Sequence, residues 1–191
     1  MLNMKLSRLL TASCLCLLGA VGGCVIPNAK TYYRPSVEGG RVIAVHGDPV
    51  ESQVEFSVGT LPVIVTSTIR HSNRRLVASL ILKPLPGQTI HFTSDHFQIH
   101  DTEHGLNMPV VSVLAFERKG STSPTIPYKI QVRPFAARAL QFLFIDIHVA
   151  DTQPASFELL SPSIMIDGVE TTFPVIHFQR KTWVGISPFN Y

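Results

Sequence analysis

Short runs rich in Val, Ile, Thr and Phe alternate with clusters of Gly, Pro, Asn, Asp and Ser along the chain from Arg41 onward. Runs of this length and composition predict β-strands. The strands are expected at residues 41–46, 52–58, 62–69, 76–83, 88–93, 96–100, 109–116, 128–133, 139–149, 156–160, 163–167 and 169–179. No run of useful length has the apolar spacing of an amphipathic helix. The pattern therefore predicts an all-β domain.

Three segments add local detail to the strand prediction. Residues 52–59, SQVEFSVG, alternate polar and apolar side chains, as a strand with one buried face does. The Asp167-Gly168 pair lies between two β-rich runs and predicts a hairpin with a type I′ turn, which needs positive φ at both central residues. Residues 139–149, ALQFLFIDIHV, are apolar on both faces through the middle, so we expect this strand in the centre of the fold.

The strand pattern also decides the expected architecture. Parallel sheets need helices to cover their faces, so these strands are expected to pair antiparallel. Many short strands separated by turn signals are typical of a β-sandwich. We therefore expect residues 41–191 to form a single antiparallel β-sandwich domain with immunoglobulin-like architecture.

The N-terminal residues follow a different pattern. Lys5 and Arg8 precede an apolar run from Leu9 to Val21 that contains no charged residue. A helix of about 13 residues spans only roughly 20 Å, which is short of the roughly 30 Å hydrocarbon core of a bilayer. The segment therefore has the features of a secretory signal peptide rather than of a transmembrane anchor.

The apolar run ends in Val21-Gly22-Gly23-Cys24, which resembles the lipobox of bacterial lipoproteins. The resemblance implies that the Cys24 thiol receives a diacylglyceryl group, that residues 1–23 are cleaved off as a signal peptide and that the new amino group is acylated. The residue after the cysteine is valine rather than aspartate, so the resemblance implies the outer membrane, facing the periplasm. The alternatives are a signal cleaved by the general peptidase, with Cys24 an ordinary thiol, and a retained anchor.

Cysteine usage and charge fit an exported chain. Cys14 and Cys16 lie inside the apolar run, so the cleaved chain keeps only Cys24 and has no internal disulfide. The sequence has 16 basic and 13 acidic residues, and without Lys5 and Arg8 the balance is 14 to 13. A near-neutral chain has no general electrostatic reason to bind nucleic acid.

Residues 24–40 combine the expected lipidated terminus with a predicted tether. The stretch VIPNAKTYYRPSVEGG has prolines, a glycine pair and no periodicity, which is typical of a linker. Tyr32 and Tyr33 are the exception, because two adjacent tyrosines exposed on a linker would leave much apolar surface in water. We expect them to pack on the edge of the domain.

The stretch HFTSDHFQIHDTEHG is richest in groups capable of chemistry. It contains His91, His96, His100 and His104 among acidic residues, and imidazole with carboxylate suits zinc or copper. On a strand, His96 and His100 would lie roughly 13 Å apart and could not share an ion. On a helix, three of these histidines would lie on one face. We expect a strand, with a metal site as the alternative.

The sequence contains no pattern for nucleophilic catalysis, phosphate binding or dinucleotide binding. The expected function is therefore that of a noncatalytic binding or structural module of the cell envelope, without a cofactor. Its expected partners are the membrane, through acyl chains on Cys24, and an envelope protein or glycan. The alternative is a zinc- or copper-binding or hydrolytic envelope protein that uses the region from His91 to His104.

Overall fold

The computed structural model describes residues 27–44, 49–70, 75–119, 128–129, 135–136, 141–149 and 153–186. Within these ranges every regular element is a β-strand, which confirms the all-β prediction. None of them contains a helix that could cross a membrane. The predicted signal peptide, Cys24 and most of the predicted strand at 128–133 lie outside the described residues.

The strands, labelled in chain order, form three antiparallel sheets, an arrangement consistent with a β-sandwich. Sheet A contains, in spatial order, β1 (Pro27–Ser36), β16 (Ile176–Ile186), β13 (Ser156–Leu160), β7 (Gln98–Asp101) and β8 (Leu106–Met108). Sheet B contains β10 (Tyr128–Lys129), β9 (Val110–Lys119), β12 (Gln141–Val149), β5 (Arg75–Leu82), β4 (Leu61–Arg70), β3 (Gln53–Val58) and β2 (Arg41–Ile43). Sheet C contains β11 (Phe135–Ala136), β6 (Thr89–Phe92), β14 (Ile164–Ile166) and β15 (Val169–Thr171).

The chain divides into two compact units. The large unit is Thr31–Thr182, and the hydrophobic core lies within it. The small unit is formed by the two ends of the chain, and its described residues are 27–30, at the start of β1, and 183–186, at the end of β16.

The core of the large unit is one continuous cluster of buried apolar side chains from all three sheets. Each fully buried large side chain contributes about 1.5–3 kcal/mol relative to exposure, so this cluster dominates the stability of the unit. The largest fully buried side chains are Tyr33, Phe157, Phe178, Leu61, Leu76, Leu80, Leu82, Ile90, Ile99, Ile145, Ile147 and Leu159.

Two local predictions are confirmed in the strands. In β3, Val54, Phe56 and Val58 are buried, whereas the residues between them are more exposed. Asp167, with φ of 50°, and Gly168, with φ of 86°, join β14 to β15 in the predicted hairpin. Glycine adopts this left-handed conformation without a steric penalty, and aspartate is among the few other residues that tolerate it.

Strand β12 lies between β9 and β5 in sheet B, in the interior position that its sequence predicts. Leu143, Ile145 and Ile147 are buried on one face. On the other face Phe144 is half-buried and stacks on Phe116 of β9, with ring centroids 5.0 Å apart. The second apolar face is therefore covered in part by a neighbouring aromatic ring.

The predicted tether has to be corrected from its fourth residue, because Pro27–Ser36 form β1 beside β16 in sheet A. The Tyr33 ring is buried edge-to-face against Phe157, with centroids 5.1 Å apart. Its hydroxyl donates a hydrogen bond of 2.8 Å to the carbonyl oxygen of Pro154. Tyr32 is half-buried. The expected packing of Tyr33 on the domain is thus confirmed, and the domain begins before residue 41.

Two other boundaries differ from the prediction for local reasons. The run predicted as one strand at 169–179 is two strands, β15 in sheet C and β16 in sheet A. Pro174 lies between them and has no N–H for a sheet ladder. The three-residue strand β8 was not predicted, because its sequence Leu-Asn-Met is short and has a polar centre.

Candidate functional site

The structure distributes the four histidines of the predicted metal region over two strands and two connections. His91 lies in β6 of sheet C, and His100 lies in β7 of sheet A. His96 is in the connection between these strands, and His104 is in the turn after β7. His96 and His100 do not share a strand, because β7 begins at Gln98. Among the described residues, no three His, Cys, Asp or Glu side chains are placed to hold one metal ion.

A row of four polar side chains crosses one face of sheet A. The strand register pairs successive residues across β8, β7, β13 and β16, in the order Asn107, His100, Glu158 and His177. Directly paired residues of antiparallel strands share a face, with Cβ atoms about 4.5–5.5 Å apart. We call these four residues the polar row.

The polar row is on the solvent side of sheet A because side chains alternate along each strand. Ile99, Phe157 and Phe178 are sequence neighbours of row residues, and all three are buried in the core. The four row residues themselves are exposed or half-buried. A molecule approaching sheet A from solvent would therefore meet this row.

Two polar contacts join the row in pairs. His100 Nδ1 lies 3.2 Å from Asn107 Oδ1, and His177 Nδ1 lies 3.1 Å from Glu158 Oε1. Each contact places an imidazole nitrogen against an oxygen acceptor, which favours a proton on Nδ1. Carboxylate, amide and imidazole groups side by side on an accessible face suit a ligand that both donates and accepts hydrogen bonds.

Asp101 and His104 shape the turn between β7 and β8. Asp101 Oδ1 accepts hydrogen bonds from the backbone N–H groups of Glu103, at 2.9 Å, and His104, at 3.2 Å. Asp101 Oδ2 lies 2.8 Å from His104 Nδ1. Gly105, with φ of 66°, donates its N–H to the Asp101 carbonyl at 2.9 Å. The polar residues of this segment therefore stabilise a turn.

The contact between Asp101 and His104 changes the pKa of both groups. The hydrogen bond to His104 lowers the pKa of Asp101, and the same hydrogen bond raises the pKa of His104. The contribution of Asp101 to folding is lost as the pH falls through its lowered pKa. The contribution of His104 is lost as the pH rises through its raised pKa. The contact is therefore strongest between the two titrations.

We expect the His104 imidazole to titrate above the ordinary histidine pKa of about 6.5. Asp101→Asn should return the pKa of His104 toward that value, because it removes the charged acceptor with little change of size. Glu103→Gln is the matched control and should cause a much smaller change, since Glu103 acts on the ring only through its charge. NMR of the histidine ring protons as a function of pH measures the pKa of His104 in the unchanged protein and in both variants. A His104 pKa that is the same in the Asp101 variant would contradict the contact.

The sequence pattern marks His100 as a candidate functional residue, but it does not mark the partners of His100 in the polar row. Asn107, Glu158 and His177 lie on three other strands and belong to no local motif. Their positions between residues that face the core are the only sequence signal that they carry. Their assembly depends on the register of four strands, which a single sequence does not fix.

No protein-family model matches the chain, and neither a curated protein nor a solved structure matches it. Two features remain for assigning a function. One is the lipobox-like sequence that ends at Cys24, and the other is the polar row on sheet A.

Proposed function

We propose that the protein is a lipoprotein of the bacterial cell envelope, anchored through acyl chains on Cys24 at the outer membrane and facing the periplasm. Its domain would be an immunoglobulin-like β-sandwich that acts as a noncatalytic binding or structural module for an envelope protein or glycan. The sequence Val21-Gly22-Gly23-Cys24 is the observation that carries this proposal. Three antiparallel sheets around one core support the sandwich part of it.

The residues before Cys24 support anchoring rather than simple export. A basic start with Lys5 and Arg8, an uncharged apolar run and small residues before the cysteine follow the order of a lipoprotein signal. Each buried acyl methylene contributes about 0.8 kcal/mol, so a single chain holds weakly whereas two or three hold a protein almost permanently. The proposal therefore places the protein on a membrane without a spanning segment.

Cys24→Ser is expected to release the protein from the membrane fraction, because it removes the thiol that would accept the lipid. The measurement is fractionation of cells that produce the full chain, together with the intact mass of the purified protein. For the unchanged protein we expect a mass that starts at Cys24 and includes acyl groups. The effect on membrane retention should exceed tenfold, because a chain without acyl groups has no comparable membrane affinity.

The double variant Cys14→Ser and Cys16→Ser is the matched control for this experiment. It makes the same chemical change at the two cysteines of the expected signal peptide. We expect it to leave both membrane retention and the mature mass as they are. A native protein that begins upstream of Cys24, or that carries no acyl mass, would contradict the proposed anchor.

Binding at sheet A is supported by the polar row and by the strand beside it. In the described part of the chain, β8 is the last strand of sheet A and pairs with β7. The outer backbone groups of such a strand can pair with an added strand, and neighbouring side chains then provide specificity. Leu106 at the start of β8 is 64% exposed and offers apolar surface at this edge of sheet A.

The binding proposal predicts site-specific capture of one partner. A photo-crosslinking amino acid in place of Asn107 or His177 should capture the same envelope component in intact cells, and Glu158→Gln should weaken both captures. A photo-crosslinking amino acid in place of Val169, an exposed residue of sheet C, is the control and should not capture that component. Equal capture from sheet A and sheet C would contradict a specific surface at the polar row.

A further inference from the structure

We propose that the described residues of the small unit, 27–30 and 183–186, are a membrane-contacting surface, in which Trp183 and Val184 enter the interface of the bilayer that holds the Cys24 acyl chains. This inference rests on the proposed lipidation. It names the lipid surface itself, with anionic headgroups, as a second partner besides the acyl chains. Chain length, side-chain chemistry and charge each support it.

Chain length fixes how far the small unit lies from the lipid. Only Val25 and Ile26 separate Cys24 from Pro27, the first residue of β1. Three residue steps span at most about 10 Å, and the headgroup region is about 5–7 Å thick on each side. Neighbouring strands lie about 4.8 Å apart, and β16 is the neighbour of β1. Residues 183–186 of the same unit are therefore held at the bilayer surface.

The end of β16 has the side chains that favour this environment. Trp183 is half-buried, and its indole ring lies against Gly185, because a Cβ added at that glycine would overlap the ring. Val184 points to the opposite face of the strand and is 68% exposed. Tryptophan is enriched where membrane meets water. Apolar side chains on both faces favour a strand end that enters the bilayer interface along the axis of the strand rather than lying flat on the membrane.

The charge distribution favours the same surface. Of the 14 basic residues after Cys24, four lie in residues 24–36 and 176–191, which contain no acidic residue. The intervening residues 37–175 have 10 basic and 13 acidic residues (14 − 4 = 10). The four basic residues of these two terminal segments are Lys30, Arg34, Arg180 and Lys181, and Arg34 also forms an ion pair of 2.6 Å with Glu51. Basic residues beside a lipid attachment site attract anionic headgroups.

Trp183 is the only tryptophan of the chain, so intrinsic fluorescence reports on this surface alone. The test uses the full lipidated protein, after its acyl mass has been confirmed. It is reconstituted into vesicles of phosphatidylcholine with a minority of phosphatidylglycerol, with or without bromine on the acyl chains. We expect brominated chains to quench the Trp183 emission by about half, because an indole at the interface lies next to the upper part of the chains.

Val184→Asp should reduce the quenching about twofold and make the ring more accessible to aqueous iodide, because a carboxylate disfavours the interface. Val169→Asp is the matched control and should leave the quenching unchanged, since Val169 is 66% exposed but lies in sheet C. Circular dichroism checks that both variants fold. Lipidated, unchanged protein whose Trp183 is not quenched would overturn this inference and leave the anchor standing. Protein without acyl mass would overturn both.

Discussion

Tyr33→Ala is expected to lower the free energy of unfolding by about 3–5 kcal/mol, the range for large aromatic-to-alanine changes in protein cores. The Tyr33 side chain is 1% exposed, contacts Phe157 edge-to-face and donates a hydrogen bond to the Pro154 carbonyl. The variant loses buried apolar surface, an aromatic contact and a hydrogen bond together. Urea unfolding followed by circular dichroism measures the change.

Two further variants show which part of Tyr33 matters. Tyr33→Phe keeps the ring and removes the hydroxyl, and it should cost about 1 kcal/mol. Tyr32→Ala is the matched control at the adjacent, half-buried residue and should cost less than about 1 kcal/mol. Similar losses in the two alanine variants would contradict the core position of Tyr33 and would favour the tether over β1.

Tyr33 also makes stability depend on pH in the alkaline range. Burial raises the pKa of the Tyr33 hydroxyl to about 12, with a smaller opposing effect from Arg180. The unfolded chain releases this proton near pH 10, so the contribution of Tyr33 is complete below that pH and is lost as the pH rises toward 12. The stability of the unchanged protein should therefore fall relative to Tyr33→Phe by up to about 1.4 kcal/mol per pH unit. Unfolding curves of the unchanged protein and of Tyr33→Phe at pH 9 and pH 11 measure this change. A difference in the free energy of unfolding that is the same at both pH values would contradict the raised pKa of Tyr33.

Ile145→Ala, in the interior strand β12, is expected to lower the free energy of unfolding by about 2–5 kcal/mol. Ile145 is fully buried, and its pairing partners Leu80 in β5 and Ala115 in β9 are also buried. Because β12 is hydrogen-bonded on both sides, it cannot shift to fill the cavity. We therefore expect a loss in the upper half of the range, measured by urea unfolding.

The other face of β12 supplies the control. Phe144 is half-buried and stacks on Phe116, so Phe144→Ala should cost about 1–2 kcal/mol, because part of the ring is already in water. Ile145→Val removes a single methylene and should cost about 0.5–1.5 kcal/mol. A larger loss at Phe144 than at Ile145 would mean that the core lies on the opposite face of sheet B.

The parts of the fold that the sequence predicts are those that depend on local pattern. Alternation identifies β3, the Asp167-Gly168 pair identifies its hairpin, and apolar residues on both faces identify β12 as an interior strand. The strand β1 was not predicted, because Pro27 and Pro35 dominate its local signal. The burial of Tyr33 that stabilises β1 depends on Phe157, which lies far along the chain. Sheet membership likewise depends on long-range pairing.

The residues of the candidate site also divide into those that local sequence groups together and those that only the fold brings together. Asp101, His104 and Gly105 are close in sequence, and turn chemistry accounts for their grouping. The polar row needs His100, Glu158 and His177 on neighbouring strands, which follows from sheet order and register. Cys24 is the opposite case, because its expected role depends on a motif of four adjacent residues and on no fold. The sequence therefore predicts an attachment point but not a binding surface.

Sheet A joins the first described strand of the chain to the last, since β1 is the neighbour of β16. Contacts between residues so distant in sequence form late, because the entropy of closing the intervening loop is lost before the contacts are gained. β1 therefore stays without its neighbour until the residues of β16 have been synthesised. In the proposed lipoprotein, the strand nearest the anchor would be among the last to be paired, and its protection from aggregation before then would depend on the export machinery.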